Sequence, residues 1–171
     1  MSTLQKIRQR VIDRDYFLSS HAEEEMLDDD LDRNDVENAI LKGRIEKQLT
    51  HDARGTRYRI KGPCLDGRII HVICRFREDK YSGHYCVCAT GAVMQCEFCG
   101  GETKKRNVKR QHWFQRQLYI VENVEAEVCA ECGERYFHAT TLDAVDALLL
   151  KKHAVKEKLC VEVVEFTKVA A

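Results

Sequence analysis

Apolar residues recur at helical spacing through the first forty positions and at alternate positions after that. Leu4, Ile7, Val11 and Ile12 fall near one face of a helix over 3–14. Ser19 or Ser20 supplies the cap of a second helix, which turns Ala22, Met26 and Leu27 inward. Asp32, with Asp35 three residues later, reads as a capping pair for a third helix. That helix carries Val36, Ala39 and Ile40 to the core and stops at Gly43.

Beyond Gly43 the period changes to two. Residues 44–50, 56–62, 68–76 and 84–90 each read as strands. Thr56, Tyr58 and Ile60 point one way; Arg57, Arg59 and Lys61 point the other. In the next strand Ile70, Val72, Cys74 and Phe76 alternate with His71, Ile73, Arg75 and Arg77. The turn from Gly62 to Gly67 joins the two as a hairpin. One face of this sheet is therefore rich in Arg, Lys and His.

A second β-rich stretch begins near Gly91. Strands are expected at 103–111, 114–121 and 124–128. A helix capped by Thr140 or Thr141 runs to about Lys158, with Leu142, Val145, Leu148, Leu149 and Val155 available for burial. A last strand spans Cys160 to Phe166. The fold class is α+β: N-terminal helices plus an antiparallel sheet over 1–91, then a β module with a C-terminal helix and strand over 92–171.

Charge alters this picture more than composition does. The formal net charge is zero, yet residues 13–37 hold eleven acids and two bases. Residues 42–80 hold eleven bases and five acids, and residues 104–116 hold six bases and no acid. Such segregation fits an anionic partner or pairing between opposite faces of the chain. The stripe from Lys104 to Arg116 also interleaves His112, Trp113 and Phe114, which suits phosphate contact with base stacking. An ordinary exposed hairpin is the alternative. No apolar run approaches the roughly 20 residues of a membrane span, and the N-terminus is polar.

The chemistry is concentrated in Cys96-Glu97-Phe98-Cys99-Gly100-Gly101 and Cys129-Ala130-Glu131-Cys132-Gly133-Glu134. Each Cys-x-x-Cys bends the backbone so that two sulfurs converge, and two such knuckles supply the four thiolates of a tetrahedral Zn²⁺. Four sulfurs leave no open coordination position, so one structural zinc is expected. Nine cysteines is an odd number, and the remaining five show no disulfide spacing, which points to a reducing cytoplasm.

Residues 96–166 resemble the YgiT-type zinc finger of MqsA-like antitoxins. The resemblance rests on both knuckles, on the run Ile120 to Phe137, and on the helix and Val161-Glu162-Val163 that follow. Longer members of that family continue into a helix-turn-helix. This chain ends at Ala171 without one, so operator DNA is not an expected partner. Residues 17–90 resemble small RelE-like (MqsR-type) mRNA-interferase toxins. The matching stretches are Ser20-His21-Ala22 with Met26, Asp35-Val36 with Ala39-Ile40, Gly43 and Ile45-Glu46, Arg57-Tyr58, and Gly67-Arg68 with Ile70 to Ile73.

Together the resemblances imply a fused toxin–antitoxin-like protein, a RelE-like domain followed by a zinc-ribbon-like module that restrains it. For an active toxin-like domain they imply a metal-independent endoribonuclease with RNA as its partner. Such an enzyme stabilises the charged phosphorane-like state with Arg and Lys and moves protons with His, Tyr or Glu. Arg57, His71 and Arg75 on the basic sheet face, with His21 at a helix start, are the candidates. His51 reads as a surface residue and Tyr58 as a core aromatic.

The acidic segment Glu23 to Asp30 is expected to pair with the basic face or with the 104–116 stripe. A strand added at a sheet edge is an economical way to join the two halves. The competing reading is a non-catalytic zinc module that binds nucleic acid or a partner protein and uses a degenerate toxin scaffold. Glu25 and Asp29, acidic where the toxin family carries bases, favour it.

Overall fold

Helix α1 (Thr3–Ile12) is opened by Ser2, whose hydroxyl accepts from the Gln5 amide while the Gln5 side chain accepts from the Ser2 amide. Such a reciprocal cap stabilises a helix start by about 1 kcal/mol. The computed structural model of the protein describes residues 1–50, 55–76, 96–151 and 155–162. Ile7 and Val11, one turn apart, are buried. Ile12 sits one step further round the helix and is exposed rather than inward.

Asp32 and Asp35 form the same reciprocal cap on α3 (Arg33–Lys42), as the spacing predicts. Gly43 ends that helix in an extended conformation, so it is not the left-handed stop its position suggests. The reason is close approach. A Cβ on Gly43 would stand 2.3 Å from the Ala39 carbonyl and 2.6 Å from that of Lys61. One on Gly62 would stand 2.0 Å from the Ala39 carbonyl. These two glycines let α3 lie directly on the sheet beneath it.

That sheet has the order β2 (Arg44–Leu49), β3 (Arg57–Pro63) and β4 (Ile69–Arg75), antiparallel throughout. Ile60, Val72 and Cys74 on its inner face meet Ile7, Val11, Ala39 and Ile40 in one core cluster, with Tyr58 packed at its edge against Phe76. The strand expected at 84–90 lies outside the described residues.

A second sheet has the order β1 (Phe17–Ser19), β7 (Arg135–His138), β6 (Gln117–Cys129) and β5 (Thr103–Phe114). Helices α2 (Ser20–Asp28) and α4 (Ala139–Leu150) accompany it. The fold is thus α+β with two antiparallel sheets and four helices among the described residues.

The strand β1 was not foreseen. It pairs Phe17 with His138, Leu18 with Phe137 and Ser19 with Tyr136, and the Ala139 amide extends the ladder to the Tyr16 carbonyl at 2.9 Å. A piece of the N-terminal half therefore forms the edge of the C-terminal sheet. Three consecutive side chains enter three different clusters. Tyr16 joins Ile7, Ile60 and Val72; Phe17 joins Cys96, Cys129 and Tyr136; Leu18 joins Val124, Phe137, Leu142 and Val145.

Other expectations need correction. β5 and β6 form one long hairpin whose turn is Gln115-Arg116, with φ of 50° and 62°. Both residues are left-handed, as the twist of a two-residue hairpin demands, although neither is Gly or Asn. The expected gap at 122–123 is a bulge: Val108 faces Val124 but Arg110 faces Val121, and Asn123 takes φ of 61°. Helix α4 is capped by His138 rather than by a threonine and ends at Leu150, well short of Lys158. Beyond it Val155 is exposed, and Cys160 to Glu162 form no strand. On α2, Ala22 and Met26 pack inward, while Leu27 faces solvent. No helix among the described residues is long and apolar enough to cross a membrane.

Candidate metal centre and the polar sheet face

The knuckles sit where β5 begins and where β6 ends, so the Thr103–Cys129 register of the hairpin brings them together. Each closes on itself in the same way. The Cys96 amide donates to the Gly101 carbonyl and the Gly100 amide to the Cys96 carbonyl; Cys129, Glu134 and Gly133 repeat the pattern. Gly100 and Gly133 take φ of 81° and 80° with open space around them. Their role is the left-handed turn itself, not relief of a Cβ clash at the sulfur.

The four sulfurs lie within 4.8 Å of one another. Cys96 Sγ is 3.5 Å from Cys132 Sγ, and Cys99 Sγ is 3.4 Å from Cys129 Sγ. A tetrahedral ion with metal–sulfur bonds near 2.3 Å needs edges of about 3.8 Å, so the four thiols fit one. The Phe98 amide approaches Cys96 Sγ at 3.3 Å and the Gly101 amide approaches Cys99 Sγ at 3.4 Å, which stabilises charge on those sulfurs.

Burial pushes the Cys96 thiol up, but the Tyr136 hydroxyl and backbone amides outweigh it and bring it to about 7. At Cys132 the Glu134 amide pulls down, yet burial and the neighbouring thiols win and push it up to about 12. All four could be thiolates together only around a cation, and their spacing allows one. Cys96 and Cys129 are buried, while Cys99 and Cys132 face solvent.

Nothing in the periodicity of the chain sets Tyr136 apart. It is fully buried, its hydroxyl lies 3.3 Å from Cys96 Sγ, and the Glu97 amide donates to it at 2.7 Å. Glu97, inside the first knuckle, is ion-paired with Arg75 at the end of β4. Arg75 is only 5% exposed.

Arg57, His71 and Arg75 lie on the two paired strands β3 and β4, with Arg57 directly opposite Arg75 and His71 opposite Lys61. A residue that the strand pattern did not single out gathers the group. Glu46 sits in a bulge of β2, between Ile45 opposite Ile60 and Lys47 opposite Arg59. Its carboxylate is 2.9 Å from Arg59, 3.7 Å from Lys61 and 3.3 Å from His71. Desolvation pushes Glu46 up, but the charges on Arg59, His71 and Lys61 outweigh it and hold it below its ordinary range.

His21 is elsewhere. It starts α2, its backbone amide donates to Glu134 just after the second knuckle, and its ring lies 3.9 Å from Glu25. His51 lies outside the described residues.

The expected pairing of the acidic segment with the 104–116 stripe has one buried instance. Glu23 on α2 takes both terminal nitrogens of Arg110, whose guanidinium also lies 4.3 Å from the Phe137 ring. Burial pushes the Glu23 carboxyl up against the pull of Arg110. From Arg110 the network continues to His112 Nδ1, from His112 Nε2 to Asp146 at 2.7 Å, and from Asp146 to Arg33 at 3.0 Å. Arg33 also reaches Asp143 at 2.5 Å, so α3 of the first sheet is tied to α4 of the second. On the stripe, Lys105 faces Glu125 and Lys109 faces Glu122, while Trp113 stays half exposed.

No curated protein and no solved structure matches the chain. Residues 18–84, from β1 through β4, match one family model, that of a domain of unknown function, DUF4258.

Proposed function

We propose that the chain is a fused toxin–antitoxin-like protein. Its RelE-like sheet is an endoribonuclease surface, and its four-cysteine module, built on one structural zinc, restrains that surface. Cys96, Cys99, Cys129 and Cys132 hold the zinc with no position left for a substrate. The ion supplies folding energy to the module rather than chemistry.

On the sheet, Glu46 and His71 are the proton-moving pair and Arg57 and Arg59 bind the phosphate. The ribose 2′-oxygen forms a bond to phosphorus as the bond to the 5′-oxygen breaks. Glu46 takes the 2′-hydroxyl proton, and protonated His71 gives one to the leaving 5′-oxygen. The products are a 2′,3′-cyclic phosphate and a 5′-hydroxyl.

The observation that carries the reading is the Arg75–Glu97 pair. A cation on the candidate catalytic strand is held by a carboxylate of the cysteine module and kept from a phosphate. The same burial of Arg75 also supports the second reading, in which the arginine is structural, the sheet is an inert scaffold and the module serves a partner.

The test is cleavage of an unstructured RNA by purified full-length protein. Glu97→Gln is expected to raise cleavage about tenfold or more over the native chain, with cyclic-phosphate ends, and adding His71→Ala is expected to abolish it. A folded, zinc-loaded Glu97→Gln protein that leaves RNA intact removes the enzyme reading in favour of the scaffold.

A further inference from the structure

Tyr136, on β7, lies directly against the four-cysteine site. Its ring is buried in one cluster with Phe17, Cys96 and Cys129. A phenolic hydroxyl has one proton to donate and lone pairs to accept with. The Glu97 amide can only donate, so it occupies a lone pair; a metal-bound thiolate can only accept, so toward Cys96 Sγ at 3.3 Å the hydroxyl is the donor. One hydroxyl thereby stabilises negative charge on a metal ligand and fixes the backbone of the next residue. From that fixed backbone the Glu97 carboxylate reaches Arg75. A guanidinium so buried depends on its carboxylate partner.

We infer that the four-sulfur site and Arg75 are thermodynamically linked through Tyr136 and Glu97. Metal loading sets the position of Glu97 and so strengthens the hold on Arg75; Arg75 in turn strengthens the hold on the metal. Binding linkage is reciprocal, so both directions carry the same factor. Arg75, Glu97 and Tyr136 are positioning residues for the centre, since none supplies a ligand atom. The inference rests on the metal-binding part of the proposed function and not on ribonuclease activity. It gives a toxin-like sheet a means of responding to metal supply.

The experiment measures Zn²⁺ affinity of the full chain by competition with a chromogenic chelator. Tyr136→Phe, Glu97→Gln and Arg75→Ala are each expected to weaken binding about 10- to 100-fold, the range typical of groups that orient ligands. Arg75→Lys, which keeps the charge, is expected to lose less than Arg75→Ala. Arg75→Ala combined with Glu97→Gln is expected to be no weaker than the worse single variant, because both break one connection. Arg59→Ala, on the same sheet but paired with Glu46, is expected to bind as the native chain does.

Affinities within twofold of native for Tyr136→Phe, Glu97→Gln and Arg75→Lys would overturn the linkage. So would losses that multiply in the double variant. The Lys and Gln variants decide the matter if Arg75→Ala does not fold, and RNA cleavage plays no part in the readout.

Discussion

Arg75, the last residue of β4, is ion-paired with Glu97, the residue that follows Cys96 in the first cysteine knuckle. The pair joins a sheet of the N-terminal half to the candidate metal centre of the C-terminal half, and its cation is nearly excluded from water.

Removing one partner of such a pair leaves the other partly desolvated, at a cost of about 3 kcal/mol or more. Arg75→Ala should therefore lower the urea midpoint clearly. Arg75→Ala with Glu97→Gln should recover part of the loss, because no unmatched charge remains. Equal losses in the single and double variants would show that the pair is not what Arg75 contributes.

Phe17 shares its cluster with Cys96, Cys129 and Tyr136, while its neighbours Tyr16 and Leu18 enter the other two. Phe17→Ala is expected to cost about 3–5 kcal/mol in denaturant unfolding, the usual range for an emptied aromatic site. Leu27→Ala, on the solvent side of α2, should stay within about 0.5 kcal/mol. A small effect at Phe17 would mean that β1 is not anchored to the second sheet.

Glu23 gives a pH dependence with a definite sign. Its folded pKa lies above the ordinary 4.5, because burial outweighs Arg110. Its stabilising contribution is therefore fully present below the unfolded value and is lost as pH rises through the folded one. The stability of the native chain relative to Glu23→Gln should fall from pH 4 to pH 7. A difference that grows over that interval would show that the ionised pair dominates.

Metal removal should loosen β1 together with the knuckles, because Phe17 packs on Cys96 and Cys129, two of the candidate ligands. A ligand at a hundred times its Kd adds about 2.7 kcal/mol, which for a chain of this size is about 5–10 °C in Tm. A melt with and without chelator reads the shift. Limited proteolysis should then cut near Tyr16 only in the stripped protein. An unchanged melt would mean that the four sulfurs hold no ion that matters for folding.

Much of the first sheet was legible because a single period governed each element. Ile7 and Val11, and Ala39 and Ile40, lie on helix faces, and Ile60, Val72 and Cys74 alternate along strands. The candidate metal ligands were legible because their chemistry is written in local spacing, and the fold brings all four together. What the sequence hid is non-local. β1 is three residues long and exists only because Tyr136 to His138 lie beside it. Arg75 has the strand parity of a solvated basic residue, yet it is buried and ion-paired with Glu97 of the first knuckle. Glu46 gathers Arg59, Lys61 and His71 because a bulge turns it toward them, and no alternation pattern marks a bulge. The Gln115-Arg116 turn carries none of the Asn or Gly that usually announces a hairpin.

The proposed restraint of the three-stranded sheet by the four-cysteine module is tested most directly by bacterial growth after induced expression of the full chain. Native protein is expected to be tolerated, Glu97→Gln to arrest growth with loss of mRNA, and Glu97→Gln with Arg57→Ala and His71→Ala to be tolerated again. Normal growth with a folded, zinc-loaded Glu97→Gln protein at native abundance would contradict it.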